Sequence, residues 1–115
     1  MLWHHWRGLR KNMRYNLSIT EKAEEQLDRL VYYLLYNFCN RQAALRLLEG
    51  IEMIYERLEY NPFQFPDCND EYLSKQGYRN AKLSDMKYHV VFKVIGNTVY
   101  VSGIFHDLEQ YRDKL

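Results

Sequence analysis

The spacing of hydrophobic residues divides the first half of the chain into a strand and two helices. Residues 14–20, RYNLSIT, alternate apolar and polar side chains, which is the two-residue period of a half-buried strand. From Thr20 to Phe38, and again from Asn40 to Asn61, apolar residues recur at steps of three and four, as in amphipathic helices. Thr20 is placed to cap the first helix. Because the link between the helices is short, we expect them to pack antiparallel.

Beyond the second helix the pattern returns to strands. Residues 61–77 contain both prolines and are predicted to form a loop. Three alternating segments follow, YRNAKLS at 78–84, KYHVVFKVI at 87–95 and TVYVSGIFH at 98–106. The order β-α-α-β-β-β predicts an α+β fold in which a helical hairpin packs on a small, mostly antiparallel sheet. The tail DLEQYRDKL, residues 107–115, is expected to form one short helical turn.

The dipeptide Gly96-Asn97 predicts how the last two strands pair. Glycine suits the first position of a two-residue type II′ turn, and such a turn places Ile95 opposite Thr98. Counting outward assigns the residues to two faces. The apolar face, expected to lie on the helices, pairs Tyr88 with Phe105, Val90 with Gly103, Phe92 with Val101 and Val94 with Val99. The other face, expected to be exposed to solvent, pairs Lys87 with His106, His89 with Ile104, Val91 with Ser102 and Lys93 with Tyr100.

The turn before residue 87 decides which residues of the preceding strand join the solvent face. A two- or four-residue loop places Lys82 opposite His89 and Asn80 opposite Val91, whereas a three-residue loop does not. In the first case one patch is formed, with opposed residues about 5 Å apart; it consists of Lys82, Lys87, His89 and His106. Arg79 falls on the apolar face and is expected to reach past the core edge or to lie over Phe92.

Two interpretations of that patch stay open. RNA cleavage needs one group that takes the 2′-hydroxyl proton, one that protonates the leaving oxygen, and cations that stabilise the phosphorane. Histidine suits proton transfer because free imidazole titrates near neutral pH, and two imidazoles with two lysines supply all of these roles. Alternatively, the patch is a solvated sheet face. Tyr111 is expected to pack back on the sheet.

Length and cysteine content limit the class of protein. At 115 residues the chain is expected to form one domain with one core. It has no apolar run of the ~20 residues that a membrane helix needs and no secretory signal pattern, so a cytoplasmic protein is expected. Cys39 and Cys68 lack a CxxC partner, and we expect no disulfide framework, metal or cofactor. Residues 1–12 are predicted to be an irregular N-terminal extension to a single domain over 13–115.

Charge is unevenly distributed along the chain. Residues 20–71 contain five basic and eleven acidic side chains, a net charge of −6, whereas residues 72–106 contain five basic and one acidic, a net charge of +4. The second half is therefore expected to face an anionic partner.

Several motifs together carry a family resemblance. They are the strand RYNLSIT with the helix start TEKAEEQL, the helical hairpin, NPFQFP, and then YRNAKL, YHVVFKV and VYVSGIFH. From residue 13 onward the chain resembles the RelE/ParE superfamily of toxins from bacterial type II toxin–antitoxin (plasmid stabilisation) modules. The resemblance implies one of two activities. RelE-like members are ribosome-dependent endoribonucleases that cut mRNA, and ParE-like members poison DNA gyrase without hydrolysing a substrate.

The resemblance assigns roles to individual residues. In the ribonuclease branch, Lys82, His89 and His106 would be catalytic, because they stand near the positions of basic residues in those enzymes. Tyr111 lies near a C-terminal catalytic tyrosine. Asp107 stands where that branch favours a basic residue, and from residue 13 onward the chain has 13 basic and 15 acidic residues, a net charge of −2. An enzyme working on the ribosome is expected to be more basic.

The ParE-like branch is therefore favoured, with DNA gyrase as the target. The alternatives are a RelE-like mRNA endonuclease and a degenerate, non-toxic member that only binds its antitoxin, so whether the protein is an enzyme stays open. Lys87, Arg79, Lys93 and Tyr111 are the expected target-binding residues. The expected partner is a cognate antitoxin whose disordered segment folds on binding. Its contacts on the helices are predicted at Tyr32, Tyr33 and Tyr36.

Overall fold

The computed structural model describes residues 14–115, so the predictions for residues 1–12 lie outside the described residues. The strands and helices are β1 (Asn16–Ile19), α1 (Glu21–Tyr32), α2 (Arg41–Tyr60), α3 (Glu71–Lys75), β2 (Tyr78–Lys82), β3 (Tyr88–Ile95) and β4 (Thr98–His106). The predicted α+β class and the order of the main elements are confirmed. No helix within the described residues is long and apolar enough to cross a membrane.

Both main helices begin at a side-chain cap, of which the sequence predicts the one at Thr20. The Thr20 hydroxyl accepts a hydrogen bond from the Ala23 N–H at 3.1 Å, and the Asn40 side chain accepts one from the Ala43 N–H at 3.0 Å. These bonds satisfy N–H groups that have no partner inside a helix. Helix α1 continues into a wider π-type turn at Tyr33–Asn37. Cys39 then adopts a left-handed conformation, with φ of 50°, and the chain reverses into α2.

The four strands form one sheet in the order β1-β4-β3-β2. Strand β1 is parallel to β4, and the other neighbours are antiparallel. Helices α1 and α2 cover one face, which we call the helix face. Its core is built from the apolar stripes of both helices and from alternate strand residues; the fully buried members include Leu27, Leu47, Ile51, Tyr55, Leu58, Val90, Phe92, Val99 and Val101.

The segment predicted as a loop, residues 61–77, contains a further helix. Helix α3 begins where the Asp70 side chain accepts a hydrogen bond from the Leu73 N–H at 3.0 Å, and it buries Leu73. A single 3₁₀ turn at Pro62–Gln64 precedes it. Five residues are too few to show a helical period, so the hydrophobic pattern alone does not reveal α3.

A β-bulge changes the predicted pairing of the last hairpin. The Gly96-Asn97 turn is confirmed, because Ile95 pairs with Thr98 and the predicted pairs hold as far as Phe92 with Val101. Beyond that point the register shifts by one residue at Ser102. The pairs that follow are Val91 with Gly103, Val90 with Ile104, His89 with Phe105 and Tyr88 with His106. Past the bulge, every β4 residue therefore points to the face opposite to the predicted one.

The bulge is specified by residues distant from it in sequence. The side-chain oxygen of Gln26, buried on α1, accepts a hydrogen bond from the Ile104 N–H at 3.0 Å. At Gly103 a Cβ atom would meet the Phe105 ring and would lie 3.1 Å from the same Gln26 oxygen. Only glycine leaves room for this arrangement, so the helix and the strand together fix where the register shifts.

Candidate functional site

The sheet face opposite the helices, which we call the tail face, is not the solvated surface that the sequence predicts. A second core covers part of it. Its buried residues are Cys68, Leu73, Val91 and Phe105, with Tyr78, Tyr111 and Leu115 packed against them. The bulge moves Phe105 to this face. The cover comes from α3, from the segment before it and from the C-terminal tail, residues 107–115.

A carboxylate organises the polar part of the tail face. Lys82 at the end of β2 pairs with His89 on β3, as predicted. The Lys82 ammonium lies 2.8 Å from Asp107 Oδ2, and His89 Nδ1 lies 3.1 Å from Asp107 Oδ1. Since a carboxylate can only accept, the proton of this bond is on Nδ1. Asp107 therefore holds the imidazole and the lysine together just beyond the end of β4.

The prediction that His89 is exposed to solvent is wrong. Its side chain is only 6% exposed, and Nε2 is buried with no hydrogen-bond partner among residues 14–115. The Tyr111 ring lies edge-on to the imidazole, with the centroids 4.8 Å apart. In this conformation the His89 side chain cannot exchange a proton directly with a bound substrate.

The surroundings of Asp107 keep its carboxyl ionised. Partial burial acts to raise its pKa, but the hydrogen bonds and charges of Lys82 and His89 outweigh that effect, so the pKa lies below its ordinary value. Asp107 is thus an anion that neutralises the lysine beside it. This arrangement reduces the positive charge expected for the predicted patch.

His106 and Lys87 do not join this cluster. The predicted pair of Lys87 with His106 is wrong, because the bulge pairs His106 with Tyr88. The His106 ring packs edge-on against Tyr88 at 5.2 Å, and its Nδ1 accepts a hydrogen bond from the Leu108 N–H at 3.1 Å. The Lys87 carbonyl accepts one from the Asp107 N–H, and the Lys87 side chain is exposed. The two imidazoles therefore belong to opposite faces of the sheet.

Arg79 is occupied by contacts within the domain. Its guanidinium donates a hydrogen bond to the Phe65 carbonyl at 2.6 Å, lies 3.7 Å from Asp67 and stacks over the Phe63 ring, 5.0 Å from its centroid. Of the two expected positions, the one over Phe92 is not adopted, although the backbones of Arg79 and Phe92 are paired; the side chain instead reaches the segment before α3. Arg79 thus fastens the loop before α3 to the edge of the sheet.

The remaining residues predicted to contact the target differ in exposure. Lys93 is half-buried, with its ammonium over the Tyr78 ring at 4.5 Å. Tyr111 packs back on the sheet, as expected, with its ring stacked on Phe105 at 5.3 Å. The Tyr111 side chain also contacts the Cys68 thiol. Burial raises the pKa of that thiol to about 11; Tyr111 opposes the rise, and Asp70 and Asp67 add to it.

The predicted antitoxin-binding residues lie on an exposed aromatic surface at the end of α1. We use that term for Tyr32, Tyr33, Tyr36 and Phe38. The Tyr32 and Tyr36 rings contact each other at 4.5 Å, and Tyr33 meets Phe38 edge-on at 5.0 Å. Tyr36 is 66% exposed and Phe38 63%. Contiguous exposed aromatic side chains are typical of sites that bind another protein.

The sequence does not predict Asp107 as the residue that organises the polar part of the tail face, nor Cys68 as a member of the core there. Asp107 follows a predicted strand that ends in histidine, and a carboxylate in that place is available to histidines and lysines of neighbouring strands. This position, directly after the strand, is the sequence signal that points to Asp107. Nothing in the sequence around Cys68 indicates that it lies under Tyr111.

Comparison with known proteins identifies the family. The family model described as the ParE toxin of the type II toxin-antitoxin system parDE matches residues 17–111. The chromosomal ParDE toxin–antitoxin system from P. aeruginosa has a similar fold, with a TM-score of 0.64 and 21% identity over 81% of this chain and 96% of that chain. The RelBE2 toxin–antitoxin complex from Mycobacterium tuberculosis also has a similar fold, with a TM-score of 0.56 and 16% identity over 86% of this chain and 98% of that chain. Curated protein sequences give no match.

The two solved structures show that the fold is shared, and the family model spans most of the chain, including every strand and α-helix except the first residue of β1. The sequence motifs from YRNAKL to VYVSGIFH lie within the matched range. The protein therefore belongs to the ParE toxin family, within the RelE/ParE superfamily of type II toxin–antitoxin systems.

Proposed function

We propose that this ParE toxin inhibits growth in the cytoplasm by binding DNA gyrase and trapping it on cleaved DNA, not by hydrolysing RNA. The proposal rests on the family and on the arrangement of the two imidazoles. A general acid and a general base must both reach the reacting atoms. His89 is buried with Nδ1 held by Asp107, and His106 is on the other face with Nδ1 accepting from the backbone.

The charges of the tail face support the same proposal. Asp107 neutralises Lys82, so this pair offers no net positive charge to a phosphate. Lys87 and Lys93 have no carboxylate partner within the described residues and are the cations left for a partner. Two lysines beside a largely apolar surface suit an acidic protein patch better than a ribosome-bound mRNA, because binding to nucleic acid depends on many phosphate contacts.

We infer that a cognate antitoxin covers the exposed aromatic surface of α1. Tyr32, Tyr36 and Phe38 offer large rings that would be buried against an apolar segment that folds on binding. The similar structures from P. aeruginosa and Mycobacterium tuberculosis are toxin–antitoxin systems. A Tyr36→Ala/Phe38→Ala double variant is expected to weaken antitoxin binding by at least about tenfold, while Tyr60→Ala, an exposed tyrosine on α2, is expected to change it little.

The experiment that tests the target measures three outputs after induction without an antitoxin. These are growth, the DNA-damage response and breaks in cellular mRNA. We expect growth arrest with a DNA-damage response and no codon-phased mRNA breaks, and purified protein is expected to stabilise gyrase–DNA cleavage complexes. Codon-phased breaks would replace the proposal with the endonuclease alternative. Harmless expression of folded protein would instead indicate a member that only binds its antitoxin.

One observation favours the endonuclease as the second candidate. The contact of Asp107 with His89 orients an imidazole and places a lysine beside it, which is an arrangement used in acid–base catalysis. His89→Gln with the fold verified separates the two mechanisms. Toxicity that survives this change excludes His89 as a proton-transfer group.

A further inference from the structure

The C-terminal tail covers the tail face without joining the sheet. Strand β4 ends at His106, and Asp107 remains tied to the domain through Lys82, His89 and the Lys87 carbonyl. Among residues 14–115, the backbone hydrogen bonds of residues 108–115 reach only His106 or other residues of the tail. Leu108, next to Asp107, is 86% exposed. Beyond the short turn that is bonded to His106, the tail is therefore held over the sheet by side chains alone.

Few side chains provide that attachment. Tyr111 packs on His89 and Phe105, and Leu115 packs against the same core. Arg112 lies 3.7 Å from Asp70 at the start of α3, and its guanidinium stacks over Tyr72 at 4.7 Å. The Arg112 side chain is half exposed, and exposed ion pairs contribute little to stability. Glu109 is a further attachment: one of its carboxylate oxygens accepts a hydrogen bond from the His106 N–H at 3.0 Å, and the other lies 3.0 Å from the Lys114 ammonium within the tail.

The closed position also has a polar cost. His89 Nε2 is buried with no partner within the described residues, and Tyr111 lies against the imidazole. A buried polar atom without a hydrogen bond is unfavourable, and water would satisfy Nε2 if the tail moved away. Opening therefore loses apolar contacts but gains hydration of His89. The free energy of local opening is expected to be well below that of global unfolding.

We propose that residues 108–115 form a lid, hinged at Asp107, and that the open form is the one that binds the target. Opening uncovers Val91 and Phe105 on the sheet and Leu73 on α3, which together make an apolar surface. Nearby, Lys87 and Lys93 have no carboxylate partner among residues 14–115, although the Lys93 ammonium lies over the Tyr78 ring. The uncovered surface fits an acidic protein patch that presents an apolar side chain. This inference rests on the proposed function, in which the target is a protein.

Cys68 reports on the lid directly. It is buried beneath Tyr111, whereas Cys39 is exposed, and the chain has no other cysteine. In a Cys39→Ser background, labelling of Cys68 with N-ethylmaleimide at fixed pH, followed by intact-mass spectrometry, measures how often the lid opens. Arg112 contacts Asp70 and Tyr72, so Arg112→Ala removes an attachment of the lid and leaves the side chains packed on Cys68 in place. Lys75→Ala, which removes an exposed ion pair with Glu71 on α3, is the matched control.

The labelling rate is expected to rise about threefold in Arg112→Ala and to stay unchanged in Lys75→Ala. Urea distinguishes lid opening from global unfolding. Opening a lid of only eight residues exposes little surface, so the labelling rate is expected to be nearly independent of urea at low concentrations. If the labelling rate of Cys68 follows the free energy of global unfolding in every variant, the proposal of a lid is overturned.

The link to the target is tested by gyrase inhibition. If only the open form binds, the concentration of toxin needed for half-inhibition falls by the same factor by which labelling rises. Faster labelling with unchanged inhibition would overturn the assignment of the open form as the binding form. If the parent protein does not inhibit gyrase at all, the proposed target fails, while the labelling result for the lid still stands.

Discussion

The two faces of the sheet are covered in different ways. The helix face is buried under α1 and α2, whose apolar stripes supply an almost entirely nonpolar core. The tail face is covered by the five-residue helix α3 and by a tail whose backbone, among the described residues, bonds outside the tail only to His106 at the end of β4 and to the Lys87 carbonyl. Its core is small and lies beside polar groups, including His89 and the Cys68 thiol.

This difference indicates where the molecule is rigid and where it can change. A core between long helices and a sheet is closely packed and relaxes little when an atom is removed. A core closed by a terminal segment can adjust, because the segment can move without breaking the sheet. We therefore expect function and mobility on the tail face and most of the stability on the helix face.

The largest expected effect compares one leucine from each core. Leu47→Ala on α2 should lower the free energy of unfolding by about 4 kcal/mol, because the surrounding helices cannot fill the cavity. Leu73→Ala on α3 should cost only about 2 kcal/mol, because the tail can settle into the space. Urea unfolding of both variants measures the difference. Equal losses would contradict the view that the two cores differ in rigidity.

The β-bulge in β4 should be nearly as sensitive to substitution. Gly103→Ala is expected to cost about 2–3 kcal/mol, because the added methyl group meets the buried Phe105 ring and the Gln26 oxygen. Gly50→Ala on α2 is the matched control. There the new atom meets Cδ2 and Cγ of the Leu83 side chain and no backbone, and alanine favours the helix, so the two effects oppose each other and a change within about 1 kcal/mol is expected in urea unfolding. A tolerated alanine at position 103 would show that the strand can shift its register.

A third change removes the polar support of the bulge. Gln26→Leu leaves the Ile104 N–H without its acceptor, and the expected loss is about 1–2 kcal/mol. Gln42→Leu, at an exposed position on α2, is expected to change stability by less than about 0.5 kcal/mol. Both are measured by thermal and urea unfolding. If the two glutamines proved equivalent, the bulge would have to be stabilised by Gly103 alone.

The smallest expected effect concerns the acid stability of the tail face. Asp107 has a lowered pKa in the folded protein, so the unfolded chain binds more protons as the pH falls below about 5. The stability from its contacts is present above its ordinary pKa of 3.8 and is lost as the pH falls through the folded value. Asp107→Asn should cost about 1 kcal/mol at pH 7.

The variant should also show a shallower fall in stability between about pH 5 and pH 2.5 than the parent, because one titrating carboxyl is absent. Glu109 accounts for part of the remaining slope. Partial burial acts to raise its pKa, but its hydrogen bonds to the His106 N–H and to Lys114 outweigh that effect and lower it. Denaturant unfolding at a series of pH values measures both. Parallel pH profiles would show that the contacts of Asp107 contribute nothing to stability.

The sequence alone determined the elements whose signals are local. Periods of two and of three to four residues identified the strands and the two main helices, Thr20 and Asn40 marked the helix starts, and Gly96-Asn97 set the turn. Each of these depends on residues that are close together in the chain, so the pattern is visible without the fold.

Only the tertiary structure decided which face His106 and Phe105 occupy and what surrounds His89. The bulge depends on an acceptor from α1, and the cover of the tail face depends on α3 and the tail. These contacts join segments far apart in sequence, and a one-residue shift reverses every side chain beyond it. For that reason the expected cluster of two imidazoles was not formed, and a single histidine held by Asp107 takes its place.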